Sequence, residues 1–349
     1  MKNILVASLD WGLGHATRCI PVIRLLRERG AQVSLASSGD AGVLLREEFP
    51  DVPYYELPAY KPYYGHGHWM MITMAMQLRG FSHSIRAEKK AVDELMEAHH
   101  FDVIISDNRY GCWSTKATSI MITHQLRIPF SFPWNWATGI GARVLRRLVR
   151  PFDHLWIPDV PNGVLTRQFM TKANPVRYIG WLSRFQPADA VIKYDVLALV
   201  SGPEPSRTEF ANLLQEQLVE SGKKCLLVLG QPGKPFHARV GEVTITNHLP
   251  SALLEAAIRS SAIVVARSGY STIMDLIALG KRAVFVPTPG QPEQLHLARV
   301  LQRQQIACAG LQEKFDLNKL LEIEQRYPGL SIFVPDHQWL HRAVDDLLK

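Results

Sequence analysis

Short β-branched and aliphatic runs alternate along this chain with segments whose apolar positions recur at helical spacing. In the first half the extended runs are Asn3–Leu9, Ala31–Ser37, Asp102–Ser106, Ile128–Phe132, His154–Ile157 and Arg177–Ile179. Between the first two, Ile20, Ile23, Leu26 and Arg27 mark a helix over Ala16–Arg29 that Gly30 ends. The second half repeats the rhythm with Asp195–Val200, Cys225–Leu229, Val243–Thr246, Ala262–Ala266, Ala283–Val286 and Ile306–Cys308. Strands separated by helical stretches predict right-handed βαβ units on a parallel sheet, here built twice.

A chain of 349 residues exceeds the size at which single cores stop growing, so two domains are expected. The boundary falls at Tyr178–Pro187, which gives residues 1–180 as one doubly wound α/β domain and 181–334 as a second. Residues 335–349 carry Trp339, Leu340, Val344, Leu347 and Leu348 on one helical face, suited to packing back on the first domain. Two such sheets facing each other would share a cleft at their carboxyl ends, where ligands of open sheets bind.

Charge refines this. Residues 1–180 hold 21 Lys/Arg against 15 Asp/Glu, and the rest hold 18 against 17, so +6 of the net +7 lies in the first half. An anionic partner is expected there: an acidic membrane surface or a phosphorylated substrate rather than nucleic acid, for which no motif appears. Arg143, Arg146, Arg147 and Arg150 interleave with Val144, Leu145, Leu148 and Val149, a pattern suited to an anionic bilayer or to a plain solvated face. The Met-rich run Trp69–Met76 beside Gly65-His66-Gly67-His68 reads first as core filling. Four dispersed cysteines read as buried thiols in a reducing cytoplasm. The chain runs from Met-Lys-Asn directly into a strand, and no apolar run is long enough to span a bilayer; neither signal peptide nor membrane span is expected.

Three loops at strand ends carry the chemistry. Trp11-Gly12-Leu13-Gly14-His15-Ala16-Thr17-Arg18 follows the first strand and opens the first helix. Gly12 and Gly14 let a substrate approach the backbone, and Arg18 stands on the acceptor side. The helix N-terminus disfavours a protonated His15, leaving a neutral imidazole able to take a proton. Asp107, in Ser106-Asp107-Asn108-Arg109-Tyr110-Gly111, either orients that imidazole or caps the next helix. Arg109 clamps an anionic group or faces solvent. In the second half, Ala266-Arg267-Ser268-Gly269-Tyr270-Ser271-Thr272 reads as strand, turn and helix start, a natural seat for a phosphate. Asp275 follows as a ribose ligand or a dipole-compensating carboxylate in the first turn.

With the Pro-rich loop ending Glu293-Gln294, these motifs resemble the GT-B glycosyltransferases of family 28, which includes the bacterial peptidoglycan lipid I N-acetylglucosaminyltransferase. The resemblance spans nearly the whole chain and implies a GT-B fold with a UDP-sugar donor such as UDP-GlcNAc on the second domain. It implies that Gly202 and Ser206 approach the pyrophosphate, that the Asn247-His248-Leu249-Pro250 loop lies against the base, and that Glu293 and Gln294 hold donor-sugar hydroxyls. The matched ribose ligand is usually Glu, where this chain has the shorter Asp275.

The reading is therefore an inverting sugar transferase of the cell envelope, free in the cytoplasm or peripheral on the inner face of the plasma membrane, that uses no cofactor. The acceptor is not identified; a lipid-linked saccharide is one candidate. No Asp-x-Asp motif offers a metal–diphosphate clamp, so no metal is expected. A sugar-nucleotide hydrolase of the same fold and a non-catalytic nucleotide-sugar-binding protein stand as alternatives.

Overall fold

The structure, a computed structural model, describes residues 1–60, 70–127, 137–161, 163, 165–166, 175–231, 236–333, 336 and 338–349, without the side chains of 70–79 and 137. The strand expected at Ile128–Phe132, the Gly65–His68 cluster and the side chains of Trp69–Met76 lie outside the described residues. The chain forms two compact units, Met1–Arg184 with Asp336–Lys349, and Phe185–Pro335.

In the first unit the described residues form a wholly parallel sheet in the order β3-β2-β1-β4-β5-β6-β7. Its strands are β1 (Asn3–Ser8), β2 (Gln32–Ser37), β3 (Tyr54–Glu56), β4 (Val103–Asp107), β5 (Thr118–Ile122), β6 (His154–Ile157) and β7 (Val176–Tyr178). Helices α1 (Leu13–Glu28), α2 (Gly39–Glu48), α3 (Met70–His99) and α4 (Ala137–Val149) connect them. β4 is buried along its whole length, as a parallel strand covered on both faces must be. One face packs Leu5, Ala7, Ala36 and Ile104 against Val92, Met96 and Phe101. Each fully buried Val, Leu, Ile, Met or Phe side chain here contributes about 1.5–3 kcal/mol.

The last helix, α10 (Gln338–Leu348), also belongs to this unit. Its buried Leu340, Ala343 and Val344 face inward, and its rim is pinned by Arg29 to Asp345 (2.8 Å) and Arg177 to Asp346 (2.6 Å). Gly180, at φ +74°, passes beneath Trp339, whose Cβ would lie 3.5 Å from any added side chain.

The second unit repeats the plan with one variation. Its sheet runs β10-β11-β9-β8-β12-β13-β14. The strands are β8 (Tyr194–Leu199), β9 (Cys225–Val228), β10 (His237–Val240), β11 (Val243–Thr246), β12 (Ser261–Ala266), β13 (Arg282–Phe285) and β14 (Cys308–Ala309). All neighbours pair in parallel except β10 with β11, a hairpin edge that the apolar pattern did not predict. Helices α5 (Ser206–Glu220), α6 (Ser251–Arg259), α7 (Tyr270–Ala278), α8 (Pro292–Arg303) and α9 (Leu317–Glu324) complete it. Phe210, Leu214 and Leu218 of α5 pack on Val196, Ala198, Leu227 and Val265 of the sheet.

Candidate active site

In the first unit, β1 and β4 are neighbours and pair Ser8 with Asp107. From β1 the chain goes by α1 to β2 on one side; from β4 it goes to β5 on the other. Loops that diverge from adjacent parallel strands leave a crevice at the carboxyl edge. Gly12, at φ +78°, is the N-cap of α1 and turns the chain sharply into the helix. His15 is then the third helical residue, with 17% of its side chain exposed, and its Nδ1 lies 2.8 Å from Oδ1 of the fully buried Asp107. Two residues far apart in sequence thus meet because their strands are adjacent.

A third residue joins them. Arg18 lies one turn beyond His15 on the same face of α1. Its Nε and Nη2 reach the two Asp107 oxygens, Nη2 lies 2.8 Å from His15 Nδ1, and Nη1 lies 3.0 Å from His124 Nδ1. Burial would raise the Asp107 carboxyl, but Arg18 and then His15 outweigh it and hold it at about 2. Burial and then Arg18 lower the pKa of His15 further than Asp107 raises it, so the imidazole is neutral through the neutral range.

Two arginines expected to meet the acceptor do not. Arg18 is only 2% exposed, because its fork is spent on Asp107. Arg109, expected to clamp an anion or face solvent, is completely buried. Its Nη1 donates to Glu88 Oε1 at 2.7 Å, Nη2 to Ser38 Oγ at 2.6 Å and Nε to the Ser8 carbonyl at 2.8 Å. Glu88 also accepts from Tyr60 Oη and from Gly111 N, both at 2.7 Å. Any Cβ at Gly111 would fall 2.5 Å from the Ile85 carbonyl, so the close approach demands glycine. Arg109 therefore fixes the loop after β4. Gly14 is half-buried, its carbonyl accepting from Thr17 Oγ1 at 3.0 Å.

In the second unit, three adjacent strands end together: β8 pairs Leu199 with Ala266 of β12, which pairs with Phe285 of β13. The helices that follow, α5, α7 and α8, begin beyond this edge; Gly269 and Gln291, the N-caps of α7 and α8, make no side-chain capping bond, while in the first turn of α5 Thr208 N donates to Glu204 Oε2 at 3.2 Å. By contrast, Asp316 caps α9 by accepting from Lys319 N at 3.0 Å. Helix N-termini without such caps point N–H groups and positive dipole ends at whatever occupies the edge.

Arg267, expected at the donor, is turned inward and 1% exposed. Its guanidinium lies 3.9 Å over the Phe210 ring. It donates to the Val286 and Pro287 carbonyls (3.2 and 3.3 Å), to the Ser206 carbonyl and Oγ (3.1 and 3.2 Å) and to Gln312 Oε1 (2.7 Å). Burial lowers its pKa to about 10. Its place is beneath the loops, tying together the entries to α5 and α8.

The remaining donor-side residues divide by position. Ser268 Oγ donates to the Gln294 carbonyl at 2.8 Å, and Gln294 bridges its own loop, accepting from Thr288 N and donating to Gln291 Oε1, each at 2.8 Å. That leaves the amide a second lone pair and a second N–H. Glu293 is the second residue of α8. Gly202, at φ +109°, is exposed in the loop after β8. Asp275 is half-buried in the second turn of α7 rather than its first, so dipole compensation does not explain it. His248 is exposed after β11, with β9 between that strand and β8.

Sequence reasoning missed Arg18 as the partner of Asp107, together with Glu88, His124 and Gln312. The spacing of three between His15 and Arg18 was the available signal for the first. Among the described residues, no group of three or more His, Cys, Asp or Glu could hold a metal ion. No helix among them is long and apolar enough to cross a membrane. On α4, Ile140 and Val144 are exposed together with Arg143, Arg146 and Arg147.

Comparison with known proteins places this geometry. Residues 213–325 match the glycosyltransferase family 28 C-terminal domain. An uncharacterized glycosyltransferase of Methanopyrus kandleri is 23% identical over 300 residues, covering 80% of this chain and 84% of the relative. The crystal structure of MurG from Acinetobacter baumannii superposes with a TM-score of 0.60 at 14% identity, covering 100% of this chain and 99% of that one. The Streptomyces sp. SF2575 glycosyltransferase SsfS6, complexed with thymidine diphosphate, gives a TM-score of 0.62 at 16% identity, covering 99% and 100%. The chain is a glycosyltransferase built on the GT-B fold and similar to those of family 28.

Proposed function

We propose that the chain is an inverting, metal-independent transferase that moves a hexose or N-acetylhexosamine from a UDP-sugar to an acceptor hydroxyl. The observation that carries this reading is the neutral His15 imidazole held 2.8 Å from the Asp107 carboxylate at the head of α1. His15 takes the proton of the acceptor hydroxyl as its oxygen attacks the anomeric carbon. The anomeric carbon–phosphate oxygen bond breaks, and UDP leaves with the electron pair. Asp107 stabilises the imidazolium that forms.

The second unit takes the donor in this reading. The uncapped N-terminus of α7 and the loop leading into α5, with Gly202, Ser206, Ser268 and Gly269, receive the diphosphate and stabilise it as it departs. Asp275 accepts from the ribose, Glu293 and Gln294 hold the sugar hydroxyls, and His248 borders the base. Thymidine diphosphate bound to SsfS6 supports a nucleoside diphosphate on this fold; the uracil base rests on the family resemblance. The acceptor enters beside Gly12 and Gly14, and the Arg-rich α4 meets an anionic bilayer if that acceptor is lipid-linked.

The test is a thermal-shift panel with UDP, dTDP, GDP, ADP and CMP, with and without EDTA, followed by turnover of UDP-sugars. An EDTA-insensitive shift for UDP is expected, together with transfer that His15→Ala abolishes. Donor consumption at full rate without acceptor would assign hydrolysis instead, and binding without turnover of any donor would leave a binding protein.

A further inference from the structure

The proposed base and its carboxylate are not a closed pair. Asp107 presents two oxygens, and both are taken by the guanidinium of Arg18; Oδ1 alone is shared with His15. The same guanidinium touches His15 Nδ1 and His124 Nδ1 with its two terminal nitrogens. A guanidinium is planar and cannot lose its proton at any relevant pH, so it fixes the plane of the carboxylate it grips.

Resting on the reading of His15 as base, we propose that Arg18 is a positioning residue of this site: its fork holds the Asp107 carboxylate in the one orientation that presents Oδ1 to the His15 ring. Two consequences follow. With the Nδ1 proton directed to Oδ1, Arg18 Nη2 lies beside Nδ1 without donating to it and spends its hydrogen bond on the carboxylate, and the other ring nitrogen keeps a lone pair, the tautomer a base requires. Because the carboxylate's charge is already matched by Arg18, Asp107 orients His15 without making it strongly basic. The groups facing the imidazole are Arg18 from α1, Asp107 from the end of β4 and His124 after β5, while Cys19 Sγ lies against Asp107. Of these, Arg18 is the permanent cation, and in the native protein it works with burial against His15 protonation.

The inference is read in Arg18→Met and Arg18→Lys by following the His15 ring resonances against pH, alongside the acid limb of kcat/KM. In Arg18→Met, Asp107 loses its counter-charge and both midpoints move up by about one pH unit. In Arg18→Lys the cation remains and the fork is lost, so the midpoints stay within about 0.3 unit of the parent while kcat falls about tenfold. UDP-induced thermal shift is unchanged in both, since donor groups lie in the other unit.

An Arg18→Met protein whose His15 titrates as in the parent overturns the proposal, whatever its rate. Should Arg18→Met fail to fold, an Arg18→Lys enzyme with full kcat overturns it equally. The ring titration needs no turnover. If His15→Ala retained full activity, the reading of His15 as base would fall, while the titration would still report whether Arg18 governs that ring.

Discussion

The side-chain oxygen of Gln294 accepts a hydrogen bond from the main-chain N–H of Thr288 at 2.8 Å, closing the loop that leads into α8 from within. Thr288 is almost wholly buried, so no water replaces that acceptor cheaply. Gln294→Ala should therefore cost about 1–3 kcal/mol in chemical denaturation, as the price of an unpaired buried N–H. Donor KM should rise alongside, because Glu293 shares the loop. Unchanged stability would show that the loop is held by other means.

Arg109 and Glu88 test the frame behind Asp107. Both are fully buried, and Glu88 also serves Tyr60 and Gly111. Arg109→Met leaves a buried carboxylate without its cation and should destabilise by about 3–5 kcal/mol. Adding Glu88→Gln should recover part of that loss, because the stranded charge goes while a carbonyl acceptor stays. A double variant as unstable as the sum of the singles would contradict this account.

The acid side of the pH profile has two stages with the same direction. As pH falls below 6.5, the unfolded chain protonates His15 more readily than the native protein, so stability declines there and the activity limb lies below 6.5. Asp107, at about 2 in the native protein against 3.8 ordinarily, contributes stability above 3.8 that is lost as pH falls from there towards 2. Asp107→Asn should shrink the second stage in denaturation followed against pH, leaving the share of Asp346, also held at about 2, and should lower kcat by about a hundredfold or more.

Asp275 lies in the second turn of α7, where a carboxylate has little reason to balance the dipole. Asp275→Ala should weaken UDP binding about tenfold, the loss of one charge-assisted hydrogen bond or two. Titration calorimetry showing parental affinity would mean the ribose is held elsewhere.

Much of the fold could be read in the apolar pattern because most central strands are buried on both faces and so appear as largely aliphatic runs. β3 and β10 escaped notice for the opposite reason: both lie at sheet edges, with exposed or half-exposed residues that carry no such run. Thr118–Ile122 was passed over because its polar start, Thr118-Ser119, hides a central strand. The strand-end motifs located His15 and Asp107, yet gave the wrong surroundings to the arginines beside them. An arginine near a glycine loop looks the same in sequence whether it faces a ligand or a buried carboxylate. The difference lies with Asp107 for Arg18, with Glu88 for Arg109, and with carbonyls of distant loops for Arg267, partners that only tertiary structure supplies.

Because α10 completes the first unit, the half of the protein synthesised first is finished last. On the ribosome, β1 to β7 emerge early, but α1 and β7 wait through the synthesis of Phe185–Pro335 before Leu340, Ala343 and Val344 arrive to pack on them. The second unit is free to fold in that interval. A chain interrupted before residue 338 would carry an intact second unit beside a first unit with an uncovered apolar strip, a form for chaperones and proteases to recognise.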